Sequence, residues 1–278
     1  MPFVASMSRV AFSAAAVVLL LSGALAEDDI LFERETPYVP TPQDVVERML
    51  DMANIKPGEY LIDLGSGDGR IVVTAAQRGA RAYGVDLNPK RVAEGVANAA
   101  KAGVSERATF EVKDLFDTDI RKADVVTTYL LPLVNLDLRP RLLEQLRPGT
   151  RLVTHAFHMG DDWWPDATDN LRGRVLFSWT IPAKVAGRWQ VQSDDGNFVL
   201  DIDQTFQSFK AATHVERYTL PKVVEAHTTQ IRDGRLNGTE ISFAIDMGVG
   251  PRVFRGRVEN DRIVGIAPRG WKATRIVK

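Results

Sequence analysis

A chain of 278 residues with 45 % hydrophobic and 26 % charged side chains has the balance of a protein that buries cores, which excludes a disordered chain. A formal charge of −1 supplies no diffuse basic surface of the kind that grips nucleic acid, so no nucleic-acid partner is expected. The absence of cysteine removes disulfides, zinc–thiolate sites, thiol nucleophiles and lipid-modified cysteine at once.

Residues 1–26 differ from everything after them. Arg9 is the only charge, residues 10–25 are apolar apart from Ser13, Ser22 and Gly23, and Ala24-Leu25-Ala26 gives a small-x-small pattern before Glu27-Asp28-Asp29. The pattern predicts a secretory signal peptide. The alternative is an uncleaved anchor that holds the chain close to a membrane, although the run is short against the roughly 20 apolar residues of a span. In both readings the rest of the chain lies outside the cytoplasm, periplasmic or secreted in the first and membrane-anchored in the second.

A proline-punctuated lead-in ends in Tyr38-Val39-Pro40-Thr41-Pro42. Thr41 is expected to cap a helix with Pro42 at its first position, and Val45, Val46, Met49, Leu50 and Met52 give that helix an apolar face. The lead-in is then a capped helix entry, or Tyr38 and Thr41 fold over a ligand bound at the turn that follows.

That turn organises the chain. The apolar run Tyr60-Leu61-Ile62 reaches Asp63, passes through Gly65, Ser66, Gly67, Asp68 and Gly69, and becomes helical near Arg70. Glycine serves where the backbone takes unusual φ/ψ values or passes close to a ligand. A dinucleotide fingerprint requires G-x-G-x-x-G, but the sixth position from Gly65 is Arg70, and the pattern is D-x-G-x-G-x-G. This spacing favours S-adenosylmethionine over NAD.

A helix over 71–78 and a strand over 80–85 complete a βαβ unit ending in Asp86, placed to accept both ribose hydroxyls or, alternatively, to cap the next helix. Asn88-Pro89 opens that helix, and Asn88 is counted among the cofactor contacts. A third strand over 108–112 leads to Lys113-Asp114-Leu115-Phe116, where Asp114 can receive an adenine amino group and Leu115 can touch the ring. A fourth strand over 124–130 is broken by Pro132, and a helix over 135–146 leads to a fifth strand over 151–157. Five alternations of strand and helix predict an α/β fold, a Rossmann-like doubly wound sheet over residues 27–185 with ligands beyond the carboxyl ends of its strands.

From about Gly173 the period changes to short strand-like runs over 175–181, 187–191, 198–206, 223–231, 240–245, 253–258 and 262–266, with turns at 194–197, 232–234, 247–248 and 260–261. Residues 186–278 therefore read as a small antiparallel β-barrel or β-sandwich, with 175–181 an antiparallel strand added to the first sheet. Trp189 and Trp271 are expected to fill its core.

Methyl transfer from a sulfonium needs donor and acceptor held in line and water kept out, with a base only where the acceptor arrives protonated. Tyr129, Leu130, Leu131 and Pro132 are expected to line the methyl group, Tyr129 either contacting the acceptor or filling the core. The dense run His155 to Asp166 contains Asp162. It reads as a place where an acceptor amine meets carboxylates and indoles, as a metal site, or as a polar loop whose tryptophans pack on the second domain; no metal is assigned. A G-x-S-x-G nucleophile pattern is absent.

These residues resemble class I S-adenosylmethionine-dependent methyltransferases, and more closely the bacterial relatives of the mitochondrial lysine methyltransferases acting on the ATP synthase c-subunit and the adenine nucleotide translocase. The resemblance rests on PYVPTP at 37–42, DLGSGDGRIV at 63–72, GVDLNP at 84–89, KDLF at 113–116, TYLLP at 128–132, LRPGTRLVTHAF at 146–157 and an Asp-Trp element near 162–166. It implies cofactor contacts from Asp63, Gly65, Gly67, Gly69, Asp86 and Asp114, and a lysine acceptor in a protein substrate. The β-rich tail lies outside the mitochondrial pattern. The expected function is an exported protein-lysine methyltransferase. The alternatives are a small-molecule O- or N-methyltransferase and a non-catalytic binding or scaffold protein that retains the fold.

Overall fold

Seven strands form the first sheet of the computed structural model, which describes residues 38–194, 196–219, 222–246 and 250–277. The signal-like segment, Asp195 and the turn at 247–248 lie outside the described residues. The strands are β1 Tyr60–Leu64, β2 Arg81–Asp86, β3 Ala108–Val112, β4 Val125–Thr128, β5 Arg151–His155, β6 Ala167–Leu171 and β7 Arg174–Thr180, in the order β3-β2-β1-β4-β5-β7-β6. Pairing is parallel from β3 to β5, while β7 runs antiparallel to β5 and β6 to β7.

Period-two alternation splits the strands between two apolar layers. Leu61, Val125 and Val153 face α1 (Gln43–Met52) and α2 (Arg70–Gln77), whereas Ile62, Leu64, Val126 and Leu152 pack with Leu138 and Leu142 of α4 (Pro132–Gln145). On the first side, α3 (Pro89–Lys101) adds Ala99. Strand order reverses between β1 and β4, so the crevice for a ligand opens at the carboxyl ends of those two strands.

One local expectation is corrected here. Thr41 does not cap α1: Pro42 is the cap residue, its carbonyl accepts the N–H groups of Val45 and Val46, and Gln43 is the first helical residue. Strand β6 was assigned no element in the sequence. It pairs with β7 through a two-residue turn, Arg172-Gly173, at φ 54° and 85°, and the Asn170 side chain accepts the Gly173 N–H at 2.8 Å.

The second sheet contains β8 Gly187–Gln192, β9 Phe198–Thr205, β10 Ser208–Thr219, β11 Lys222–Gln230, β12 Arg232–Asn237, β13 Glu240–Asp246, β14 Pro251–Glu259, β15 Arg262–Ala267 and β16 Lys272–Arg275. Its order is β11-β10-β12-β13-β14-β15-β16-β8-β9, and a further β9–β10 pairing closes it into a barrel from which β11 extends along β10. Strands β10 and β16 were not read from sequence. Residues 232–234, read as a turn, lie inside β12, where the register shifts between Arg232 and Arg235 and Asp233 takes φ 55°.

Alternate side chains fill the barrel. Trp189 and Trp271 are buried in it, Phe243 stacks on Phe254 at 5.3 Å, and Trp271 stands edge-on to both. The turn between β9 and β10 reaches the loop that follows β5. There Phe206 stacks on Trp163 at 5.5 Å, and the buried Trp163 indole donates to Gln207 Oε1 at 2.8 Å. Gln207 Nε2 donates in turn to Asp166 Oδ1 at 3.1 Å.

Candidate functional site

The turn after β1 holds its shape through three glycines, Gly65, Gly67 and Gly69, at φ 82°, 52° and 76°, values that side chains bearing a Cβ adopt only with strain. Gly65 and Ser66 donate their N–H groups to the Val85 carbonyl at 2.9 and 2.8 Å, which fastens the turn to β2. Gly67 donates to Asp86 Oδ2 at 2.8 Å, while Asp86 Oδ1 accepts from Asn88 N–H at 2.9 Å. Asp86 thus joins the turn to the start of α3, which the Asn88 side chain caps through Lys90 N–H. Each carboxylate oxygen retains a second lone pair for a ligand hydroxyl.

Asp63 lies beneath the turn, 2 % exposed, and accepts a hydrogen bond from Thr127 Oγ1 at 2.7 Å. Burial pushes its carboxyl up to about 7, with the Asp86 and Asp68 charges acting in the same direction against the Thr127 bond. Asp68 forms a two-point pair with Arg70, at 2.9 and 2.6 Å, and Arg70 Nη1 donates to the Thr41 carbonyl at 2.7 Å. The lead-in is therefore tied to the turn. Further along the edge, Asp114 opens a short 3-10 turn over Leu115–Asp117 and accepts Phe116 N–H at 2.7 Å. Arg141 of α4 holds that segment through the carbonyls of Leu115 and Phe116.

Sheet register assembles a second group that no local spacing announces. Asp63 pairs with Thr127 and Thr127 with Val153, so Tyr129 and His155, each two residues on, stand level on the same face. Their rings lie 4.0 Å apart, and His155 Nδ1 is 3.3 Å from Thr41 Oγ1. Thr41 is thus engaged by a histidine 114 residues away rather than by its own helix. His155 is 4 % exposed; burial, with Arg174 nearby, lowers its pKa to about 4 and keeps the ring neutral near pH 7. Tyr129 and His155 border a cavity of about 330 Å³, whose other walls are Val39, Pro40, Pro42, Ala156, Gly173, Arg174 and Val175.

The structure does not bring every expected residue to this edge in the same way. Asp162 is largely exposed and ion-paired with Arg139, which holds its carboxyl below the usual range, and it does not line the cavity. Pro132 is the exposed first residue of α4, and Tyr38 is exposed. Arg174 was missed by sequence reasoning, since it belongs to a hairpin that was not recognised. Among the described residues no group of three or more His, Asp or Glu side chains is arranged to hold a metal ion.

Residues 63–167 match the model of the ANTKMT methyltransferase domain. A protein-lysine N-methyltransferase of Saccharolobus islandicus (strain REY15A) is 46 % identical over 125 residues, which cover 44 % of this chain and 78 % of that protein. The chain belongs to this methyltransferase family. The adenine nucleotide translocase lysine N-methyltransferase of Mus musculus is 37 % identical, over 48 % of this chain and 58 % of its own length. The crystal structure of an RNA methyltransferase from Salinibacter ruber in complex with S-adenosyl-L-homocysteine superposes with a TM-score of 0.51 at 50 % identity, covering 53 % of this chain and 96 % of that one.

The protein is an S-adenosylmethionine-dependent methyltransferase, and the site suits that donor on its own evidence. Ser66 Oγ is buried with no hydrogen-bond partner, the glycine turn leaves backbone close to the crevice, and the crevice lies at the strand-order reversal. The family model ends its match at residue 167 and the first barrel strand begins at Gly187, so the barrel lies outside the matched domain.

Proposed function

We propose that this methyltransferase modifies the side-chain amine of lysine in a protein, outside the cytoplasm. The observation that carries the acceptor is the 46 % identity to a protein-lysine N-methyltransferase across 78 % of that relative. Residues 1–26, with their single charge, apolar run and small-x-small end, support export.

S-adenosylmethionine supplies a methyl group on a sulfonium sulfur, a good leaving group that asks the protein for alignment rather than for an acid or a nucleophile. In this reading the turn from Gly65 to Gly69, with Ser66 and Asp68, holds the donor's amino-acid end above Asp63. Asp86 and Asn88 take the ribose, and Asp114 and Leu115 take the adenine. Thr41 keeps the lead-in closed over the turn through its carbonyl on Arg70 and its hydroxyl on His155. Tyr129 and Pro132, at the end of β4 and the start of α4, face the methyl group, and Asp162 orders the adjoining loop through Arg139. Val39, Pro40, Pro42 and Val175 beside Tyr129 offer apolar contact to an aliphatic acceptor chain.

A second reading, RNA as acceptor, is favoured by the 50 % identity to the Salinibacter protein. One experiment separates them: incubation of the full chain with methyl-labelled S-adenosylmethionine and a cell lysate, followed by partition of label among protein, RNA and organic extract. Label on protein lysine supports the proposal. Label confined to RNA or to the extract overturns it, and a fractionation blot showing the chain only in the cytosol overturns the export.

A further inference from the structure

The formal charge of −1 is not spread evenly along the chain. Residues 251–278, which hold β14, β15 and β16, carry eight basic and two acidic side chains. One of those acids, Asp261, is taken by Arg275 at 2.8 Å. The cavity beside Tyr129 draws nothing from this part of the chain.

Sheet register gathers that charge on one outer face of the barrel. Phe254, Gly256, Val258, Ile263 and Ala273 are buried, so the residues that alternate with them point outward. Arg257, Val264 and Lys272 stand directly opposite one another across the three strands, Arg255 lies two residues before Arg257, and Arg262 two before Val264. The four cations are exposed, and none forms an ion pair among the described residues. Two acids share the face, Glu240 opposite Arg257 and Glu259 opposite Arg262, which leaves the cations in excess. Beside them Val253, Val264 and Ile266 are 50, 47 and 55 % exposed. A single exposed aliphatic side chain is ordinary on a protein surface, but three interleaved with unpaired cations mark a place of contact.

The mixture of charge and aliphatic surface selects the partner. A single-stranded nucleic acid needs rings on which its bases stack, but Trp189, Phe198, Phe243, Phe254 and Trp271 are buried inside the barrel. An acidic peptide is best held in a cleft, and the outer wall of a closed barrel is convex. A bilayer surface needs neither: cations meet anionic headgroups while aliphatic tips enter the boundary with the acyl chains. The apolar run of residues 10–25 agrees, since its anchored reading holds the same chain close to a membrane. We propose that the outer face of β14, β15 and β16 docks on an anionic phospholipid bilayer, with Arg255, Arg257, Arg262 and Lys272 on the headgroups and Val253, Val264 and Ile266 in the boundary beneath them. This surface belongs to the barrel and serves whichever acceptor is methylated.

Because the chain has no cysteine, Val264→Cys carries a polarity-sensitive fluorophore to this face alone, and membrane contact made by residues 1–26 does not move its emission. The labelled full chain is titrated with vesicles of phosphatidylcholine and with vesicles of an equal mixture of phosphatidylcholine and phosphatidylglycerol. The emission should shift to the blue on the mixed vesicles and stay in place on the neutral ones, and the same label at Glu106→Cys, in the loop before β3, should not respond to either. Raising salt from about 0.1 to about 1 M, which shortens the screening length from about 10 to about 3 Å, should weaken the partition at least about tenfold. Each cation at an anionic surface contributes about fivefold, so the combined change Arg255→Glu, Arg257→Glu and Lys272→Glu should weaken it at least about a hundredfold, with the urea midpoint and the affinity for S-adenosylhomocysteine unchanged. A label at Val264→Cys that ignores the mixed vesicles, responds equally to neutral ones or is insensitive to salt overturns the docking surface. So does a triple variant, folded by its urea midpoint, that partitions like the wild type. A chain that leaves vesicles alone but is captured by RNA or by polyglutamate through the same three cations also overturns the bilayer as its partner.

Discussion

Removing the contact between the barrel and the loop after β5 should reveal whether the second sheet buttresses the first. The Trp163 indole N–H and Gln207 Oε1 are 2.8 Å apart, and both residues are buried. Gln207→Ala leaves that N–H without a partner and also removes the 3.1 Å bond to Asp166. An unsatisfied buried donor costs about 1–3 kcal/mol, and about 2 kcal/mol is the central expectation for the single change. Trp163→Phe keeps an aromatic ring against Phe206 while removing the donor, and strands Gln207 Oε1 at a similar cost. If the two groups satisfy each other, the double variant loses less than the sum of the single losses, with a coupling of about 1–2 kcal/mol. Urea unfolding of the full-length wild type, both single variants and the double variant measures this directly. Additivity within about 0.3 kcal/mol would refute the contact as a source of stability.

Gly69→Ala forces a Cβ at φ 76° to within 2.4 Å of the Phe110 ring and 2.9 Å of Gly95 Cα. Left-handed strain of about 1–2 kcal/mol and overpacking of about 1–3 kcal/mol should lower urea stability together; a loss under about 1 kcal/mol would contradict the geometry. Asp63→Asn tests the buried acid. Because its folded pKa is raised to about 7 from 3.8, the folded state holds a proton that the unfolded state releases, and wild-type stability declines as pH rises between those values. The variant should lack that slope, whereas identical wild-type and variant slopes would rule out the burial effect. Asp86→Ala removes the acceptor of Gly67 N–H and the proposed ribose contact. Losing two charge-assisted bonds of about 1.5–3 kcal/mol each should weaken S-adenosylhomocysteine at least roughly a hundredfold in a calorimetric titration. Unchanged affinity would move the ribose contact elsewhere.

The parts of this molecule that are legible from sequence are those whose causes are local. The strands β1 to β5 are apolar runs bounded by turn residues, and Asp63, the three glycines and Asp86 occupy one continuous βαβ unit. Strand β6 escaped because ATDNL is a half-exposed edge segment with no apolar face, held by its pairing to β7. Strand β12 was misread because Asp233-Gly234, a turn signal in isolation, is absorbed into a bulge once β13 lies alongside. The group around His155 illustrates the same limit. Thr41, Tyr129 and His155 meet only because strand order sets β4 beside β5 and brings the lead-in across them. Each residue alone has an ordinary alternative, a cap, a core aromatic and a polar loop, and only the register selects among them. Trp163 resolved the opposite way: its loop does pack on the barrel, which takes that indole out of the exposed surface.

The methyltransferase assignment turns on which adenosine cofactor the glycine turn accepts. Calorimetric titration of the full chain with S-adenosylhomocysteine, and separately with NAD, decides it. Saturable one-site binding of S-adenosylhomocysteine with no heat from NAD is the predicted result, and NAD binding, or no binding of S-adenosylhomocysteine, would contradict it.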